Sequence, residues 1–229
     1  MIRRYLLASA TLALLLVLAP AAEAQLNLRG LKFPASLQNV MLLRGDAVQG
    51  ELKLTDDQKK SLSDLAAQLQ QEAFEIFSGL QDLTQEEQQE QMPEVMEMIA
   101  EKGKEIQEKV DKILEDQQKT RLKELSLQAR GAAALEDDEL AAELKISDEQ
   151  KAKLTAIREE GNEAMQKAFE ELRAGGGDQG VMREKMAKFR KDLSDKALAV
   201  LTPEQTEAFN KMKGAEFKFP SGRGGGFGF

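Results

Sequence analysis

The side chains with the widest chemical reach in this chain are carboxylates and thioethers: it has 40 Asp and Glu and nine Met, but no His, Cys or Trp. Without Cys there is no thiol nucleophile and no disulfide. Without His the commonest general base and metal ligand is gone. Met92 and Met96 are spaced to share one helix face, and Met182 and Met186 repeat that spacing 90 residues later. Thioethers select Cu(I), so these four could line a copper site. The other reading is that they fill irregular core gaps or give an adaptable binding surface, and the residue types favour it. The carboxylates alternate with Lys and Gln at helical spacing, the pattern of a solvated helix face. No pair stands out for acid–base work. No Gly-rich phosphate loop follows a strand, and Gly175 to Gly177 reads as a turn between helices. The residues imply neither catalysis nor a cofactor.

The most specific pattern recurs at matched places in two halves. It reads Leu54-Thr55-Asp56-Asp57-Gln58 and again Ile146-Ser147-Asp148-Glu149-Gln150. A second set reads Leu114-Glu115-Asp116-Gln117-Gln118 and Leu201-Thr202-Pro203-Glu204-Gln205. Thr or Ser followed three residues later by Gln is a capping box. Thr55, Ser147 and Thr202 can accept from a free N–H of the first turn, and Gln58, Gln150 and Gln205 can reach back to the cap's own N–H. The acidic residues after each cap suit the positive end of a helix. Pro203 fits the first helical position, where its missing N–H costs nothing. Glu115 lacks the hydroxyl, so Leu114 and Gln118 keep only part of the pattern. Leu83-Thr84-Gln85-Glu86-Glu87 shows how readily a similar box arises.

These caps must serve helices. From Thr55 to Leu172 Gly and Pro are scarce, and Glu, Gln, Lys and Asp dominate the polar positions. Apolar residues step by three or four: Leu62, Leu65, Leu69, Ala73, Ile76, Leu80, then Met92, Val95, Ile99, Ile106, Val110, Ile113. The second half repeats this with Leu154, Ile157, Ala164, Ala168, Leu172, then Met182, Met186, Phe189, Leu193, Ala197, Val200. Such stripes predict amphipathic helices packed face to face. Turns are expected from Gly79 to about Pro93 and from Ala174 to Gly180. Thr55 and Ser147 lie 92 residues apart and Leu114 and Leu201 lie 87 apart. The difference is expected in the connection, where insertions cost least. Asp46–Lys53 and Asp138–Lys145 match as well, so the repeat extends beyond the motif. The expected fold is all-α: two tandem long helical hairpins packed into an extended or cradle-like body.

Residues 1–24 read as a signal peptide: Arg3 and Arg4, an apolar run from Leu6 to Leu18, and Ala22-Glu23-Ala24 as cleavage site. That apolar run is shorter than the ~20 residues a membrane span needs. The mature chain is expected to start at Gln25, in the periplasm or outside the cell, with no membrane insertion after cleavage. Loss of Arg3, Arg4 and Glu23 takes the net charge from −8 to −9, which argues against nucleic-acid binding. The reading divides the chain into a leader (1–24), a first unit (25–132), a second unit (133–217) and a Gly/Phe-rich disordered tail (218–229).

The chain resembles the LTxxQ-motif family of exported helical proteins, the Spy/CpxP group. Leu54, Thr55 and Gln58 match the motif, as do Leu201, Thr202 and Gln205; Ile146, Ser147 and Gln150 match conservatively, and Leu114 and Gln118 match without the hydroxyl. The similarity covers about residues 36–213. It implies two family-like units where typical members carry one, packed as a monomeric pseudo-dimer or as a homodimer. The activity implied is ATP-independent chaperoning, in which unfolded or partly folded client proteins are held on a helical surface without catalysis. The alternatives are a regulatory partner of an envelope sensor kinase, linked to stress or metal, and a purely structural helical protein.

Overall fold

The computed structural model describes residues 34–81, 84–173 and 179–220. The expected leader, the turn residues Ala174 to Asp178 and the tail beyond Pro220 lie outside the described residues. All regular structure among those described is helical. The elements are α1 (Ala35–Leu43), α2 (Asp46–Glu51), α3 (Asp56–Gln81), α4 (Gln85–Ile113) and α5 (Asp116–Arg130). A 3₁₀ turn (Gly131–Glu136) then leads to α6 (Asp138–Glu143), α7 (Asp148–Arg173), α8 (Gln179–Leu198) and α9 (Pro203–Met212). The chain divides into two compact units, Met1–Leu122 and Lys123–Phe229. The division falls inside α5, earlier in the chain than the 132/133 boundary expected from the repeat.

The connection in the first half differs from the expected turn at Gly79 to Pro93. Helix α3 continues to Gln81, and Pro93 lies inside α4. The reason is local. Thr84 forms a complete capping box, accepting from the N–H of Glu87 at 3.3 Å while the Glu87 carboxylate accepts from the N–H of Thr84 at 2.8 Å. The run Gln85 to Gln91 is made of strong helix formers, which carry the helix through one proline. The Pro93 ring removes one intrahelical bond there. In the second half α8 already includes Gln179 and Gly180, which were expected in the turn.

In the first unit α1 packs on α4 and α3, and α3 packs on α4. Leu37, Val40 and Leu43 of α1 meet Leu62, Leu65, Leu69, Val95, Ile99, Ile106 and Val110 in a buried aliphatic core. Gly103 permits this arrangement: a Cβ there would fall 2.7 Å from the Pro34 Cβ. Lys102, beside it, is 6% exposed and lies 3.4 Å from Glu72 and 2.6 Å from Glu105. In the second unit α7 and α8 pack directly on each other and on the 3₁₀ turn. The core there contains Leu135, Leu140, Leu144, Ile146, Leu154, Ala197, Leu201 and Phe209. Gly161 sets the spacing of the two helices, since a Cβ would fall 2.9 Å from the Leu193 Cδ1.

After α9 the chain turns at Gly214 (φ +63°), where a Cβ would collide with the Glu124 carboxylate. Gln128 of α5 then holds the following strand of backbone. Its amide donates to the carbonyls of Lys213 (2.5 Å) and Ala215 (2.8 Å) and accepts from the N–H of Phe217 (2.8 Å). Phe217 and Phe219 stack edge to face at 4.8 Å. The two Phe residues nearest the body are therefore placed by Gln128 and by each other. Phe227 and Phe229 lie outside the described residues.

Candidate functional site

Each unit begins its long helix from the same small device. Helix α2 is capped at its C-terminus by Leu52, and Lys53 follows in the left-handed conformation (φ 51°); α6 is capped by Leu144, and Lys145 follows at φ 54°. In both, the N–H groups fold back on the helix: Leu54 N–H to Gln49 O at 3.0 Å and Ile146 N–H to Ala141 O at 2.8 Å. This is a Schellman termination built on lysine, where glycine is the usual residue. It leaves the carbonyls of Leu52 and Leu144 turned towards the second motif of the same unit.

The Gln side chains of the paired motifs meet at that point. Gln58 donates to Gln118 Oε1 at 2.7 Å and to the Ile113 carbonyl at 2.9 Å. Gln118 donates back to Gln58 Oε1 at 3.1 Å and to the Leu52 carbonyl at 3.2 Å. Each amide oxygen also accepts from the N–H of its own cap, Thr55 at 3.0 Å and Glu115 at 2.9 Å. Both amides thus fill their full capacity of two donated and two accepted bonds. The orientation is fixed by chemistry, because backbone N–H groups can only face the amide oxygens.

The second unit repeats the arrangement. Gln150 donates to Gln205 Oε1 at 2.7 Å and to the Val200 carbonyl at 2.8 Å. Gln205 donates to Gln150 Oε1 at 3.1 Å and to the carbonyls of Leu144 and Lys145, both at 3.2 Å. Ser147 and Thr202 give their N–H groups to the two amide oxygens at 3.0 and 2.9 Å. The hydroxyls of Thr55, Ser147 and Thr202 in turn accept from the backbone N–H groups of Gln58, Gln150 and Gln205, each at 3.2 Å. Leu54, Leu114, Ile146 and Leu201, which open the four motifs, are all buried, 4–9% exposed. Glu115 has no hydroxyl to offer, yet the pairing survives because Gln118 uses only the backbone N–H of Glu115.

The four motif copies are therefore two clamps. Each ties the start of one long helix to the end of the return helix and the start of the next. Capping alone was legible from the spacing; the pairing of Gln58 with Gln118 and of Gln150 with Gln205 was not. The matched left-handed lysines were also missed. Their one sequence signal is the repeated Leu-Lys step before each first motif, Leu52-Lys53 and Leu144-Lys145.

Around the clamps the charges are local. Arg121 grips Glu51 at 2.7 Å in the first unit, and Lys123 meets the equivalent Glu143 at 3.1 Å in the second. Arg130, 4% exposed, makes a two-bond fork with Asp137. Its own N–H bond and the Thr202 hydroxyl hold the Glu204 carboxyl below the usual carboxylate range. The hydrogen bond from Lys102, followed by that from Lys109, does the same for Glu105.

Met92 and Met96 are partly buried on α4 of the first unit and Met186 is partly buried on α8 of the second. The side chain of Met182 lies outside the described residues. No cluster of three or more Asp or Glu suited to a metal ion occurs among the described residues, and none of their helices is long and apolar enough to cross a membrane.

Comparison with family models, with curated proteins and with solved structures gives no match to this chain.

Proposed function

We propose that the chain is an exported, ATP-independent holding chaperone of the Spy/CpxP kind, which binds unfolded or partly folded clients without catalysis. The observation that carries this reading is a difference between equivalent helix faces. In the first unit Leu65, Ile99 and Lys102 are buried, at 6%, 1% and 6% exposure. The repeat carries them to Ile157, Met186 and Phe189 in the second unit, and all three are partly exposed there. Lys185, Lys188, Arg190 and Lys191 stand exposed along the same helix, α8, in a chain of net charge −8.

An apolar face that includes a flexible thioether suits promiscuous contact with varied side chains. The surrounding cations favour encounter with acidic segments, an effect that salt weakens. The clamps contribute rigidity at the base of each helix pair, so that the face is presented by a fixed scaffold. The leader at residues 1–24 is the support for an envelope or extracellular setting.

The test is light scattering of two unrelated aggregating proteins, with and without the purified chain, in the absence of ATP. The proposal expects suppression of both at near-stoichiometric amounts, and weaker suppression by Phe189→Ser or Met186→Ser. Suppression of neither client would remove it.

A further inference from the structure

After α9 the second unit closes with a segment that has no regular structure and is held by one side chain. It starts at Gly214, beside Glu124 of α5, and reaches Gln128 one turn further along that helix. There the Gln128 amide donates to the Ala215 carbonyl and accepts from the Phe217 N–H, each at 2.8 Å, one bond on either side of Glu216. A neighbouring strand would offer an extended backbone the same donor and acceptor. The bond to the Lys213 carbonyl at 2.5 Å uses the remaining amide hydrogen.

Past this grip the side chains alternate. Phe217 and Phe219 are partly buried and meet edge to face at 4.8 Å, while Glu216, Lys218 and Pro220 are exposed. That is the two-residue period of an extended backbone laid on a surface. The architecture shared by the two units does not call for it. The 92-residue step carries Gln128 back to Ser36, a buried residue with no amide to offer. All three bonds of Gln128 go to main-chain atoms, so the grip itself places no demand on sequence; the two Phe rings supply the selectivity. A segment near the end of a chain, held by bonds to one side chain, opens at low cost.

We infer that Gln128 marks a docking site on α5 for an extended protein segment with Phe at alternate positions, which residues 215–220 of the chain itself fill in cis. A partner segment is read through its backbone by Gln128 and through two aromatic rings that take the places of Phe217 and Phe219. In the native chain the site is masked, because a segment tethered this closely is present at an effective concentration on the order of millimolar. This inference stands apart from the holding-chaperone reading, which concerns α8.

The experiment is fluorescence polarisation of a labelled hexapeptide, Ala-Glu-Phe-Lys-Phe-Pro, titrated with the purified full chain. Gly214→Val frees the site, since a β-branched residue is strained at φ +63° and its Cβ would collide with the Glu124 carboxylate. Saturable binding is expected to this variant, about tenfold or more tighter than to the native chain. Adding Gln128→Leu, with helical circular dichroism intact, is expected to weaken it again about tenfold or more. A hexapeptide with both Phe replaced by Ser should bind none of the three. The variant Phe217→Ser/Phe219→Ser loosens the cis segment without touching Gly214 and should show the same gain, which decides the matter if Gly214→Val does not fold. No saturable binding to either released chain would overturn the inference. So would equal binding to native and released chains, or tight binding that survives Gln128→Leu.

Discussion

The two units share a base and differ along their helices. At the base the correspondence extends to hydrogen-bond lengths: the paired glutamines exchange bonds of 2.7 and 3.1 Å in both. Lys53 and Lys145 take the same left-handed conformation, and α3 and α7 have the same length, 26 residues. Along the helices the correspondence fails. Leu69 becomes Gly161, Lys102 becomes Phe189, and α4 with 29 residues becomes α8 with 20. Helix α1, which covers the first helix pair, is replaced by a short 3₁₀ turn. The lesson is physical. A fully satisfied amide pair has one geometry and tolerates no change of residue type. An aliphatic interface can exchange volume between facing positions and keep its packing. The base is therefore the constant part, and the faces are where the two copies can take on different work.

The largest expected effect concerns Lys102, the buried cation of α4, whose place in the second unit is taken by Phe189. Lys102→Ala leaves Glu72, which is 16% exposed, without its counter-charge, and should cost about 3 kcal/mol in urea unfolding. The double change Glu72→Ala/Lys102→Phe installs the second unit's residues and should recover most of that loss. If it does not, the two interfaces are less interchangeable than the comparison holds. Next is the close approach that only the second unit needs. Gly161→Leu copies Leu69 into a place where even a Cβ lies 2.9 Å from Leu193, and should cost about 2 kcal/mol.

Smaller and opposite in sign is relief of the shared strain. Lys53→Gly and Lys145→Gly should each stabilise by about 0.5–1 kcal/mol, the left-handed penalty less the added freedom of glycine. Equal gains at the two sites would support a common base; a gain at one alone would break the equivalence. The smallest effect is on pH. The folded-state pKa values of Glu105 and Glu87 in the first unit, and of Glu204 in the second, are lowered. A lowered carboxylate gives stability above its unfolded pKa, ~4.3 for Glu, and that stability is lost as pH falls through the lower folded value. Acidification below about pH 4 should therefore weaken both units and the first somewhat more, as read by urea midpoints at pH 5 and pH 3.

Much of the fold was legible because it rests on local rules. The apolar step of three or four residues, the helix-forming polar residues and the Thr or Ser to Gln spacing each act within one turn of helix. They placed the long helices and their starts at Asp56, Asp148 and Pro203. What was missed depends on partners far along the chain. Nothing near Gln58 announces that its amide meets Gln118. Nothing near Lys102 announces that Glu72 and the crossing of α1 will bury it. Gly103 and Gly161 look like weak points in a helix until Pro34 and Leu193 occupy the space they leave. Pro93 misled for the opposite reason: as a local signal it marks a break, but the Thr84 box upstream had already committed the helix.

The motif glutamines act in pairs within each unit. The most direct test is a double-mutant cycle on Gln58→Ala and Gln118→Ala, read by urea unfolding. Each single change should cost about 2 kcal/mol, since it strands the amide of its partner and a backbone group. The pair should show a coupling of about 1–2 kcal/mol. Gln58→Ala combined with Gln205→Ala, which joins members of different clamps, should be additive. Additive losses for Gln58 and Gln118 would contradict the claim and return each motif to a simple helix cap.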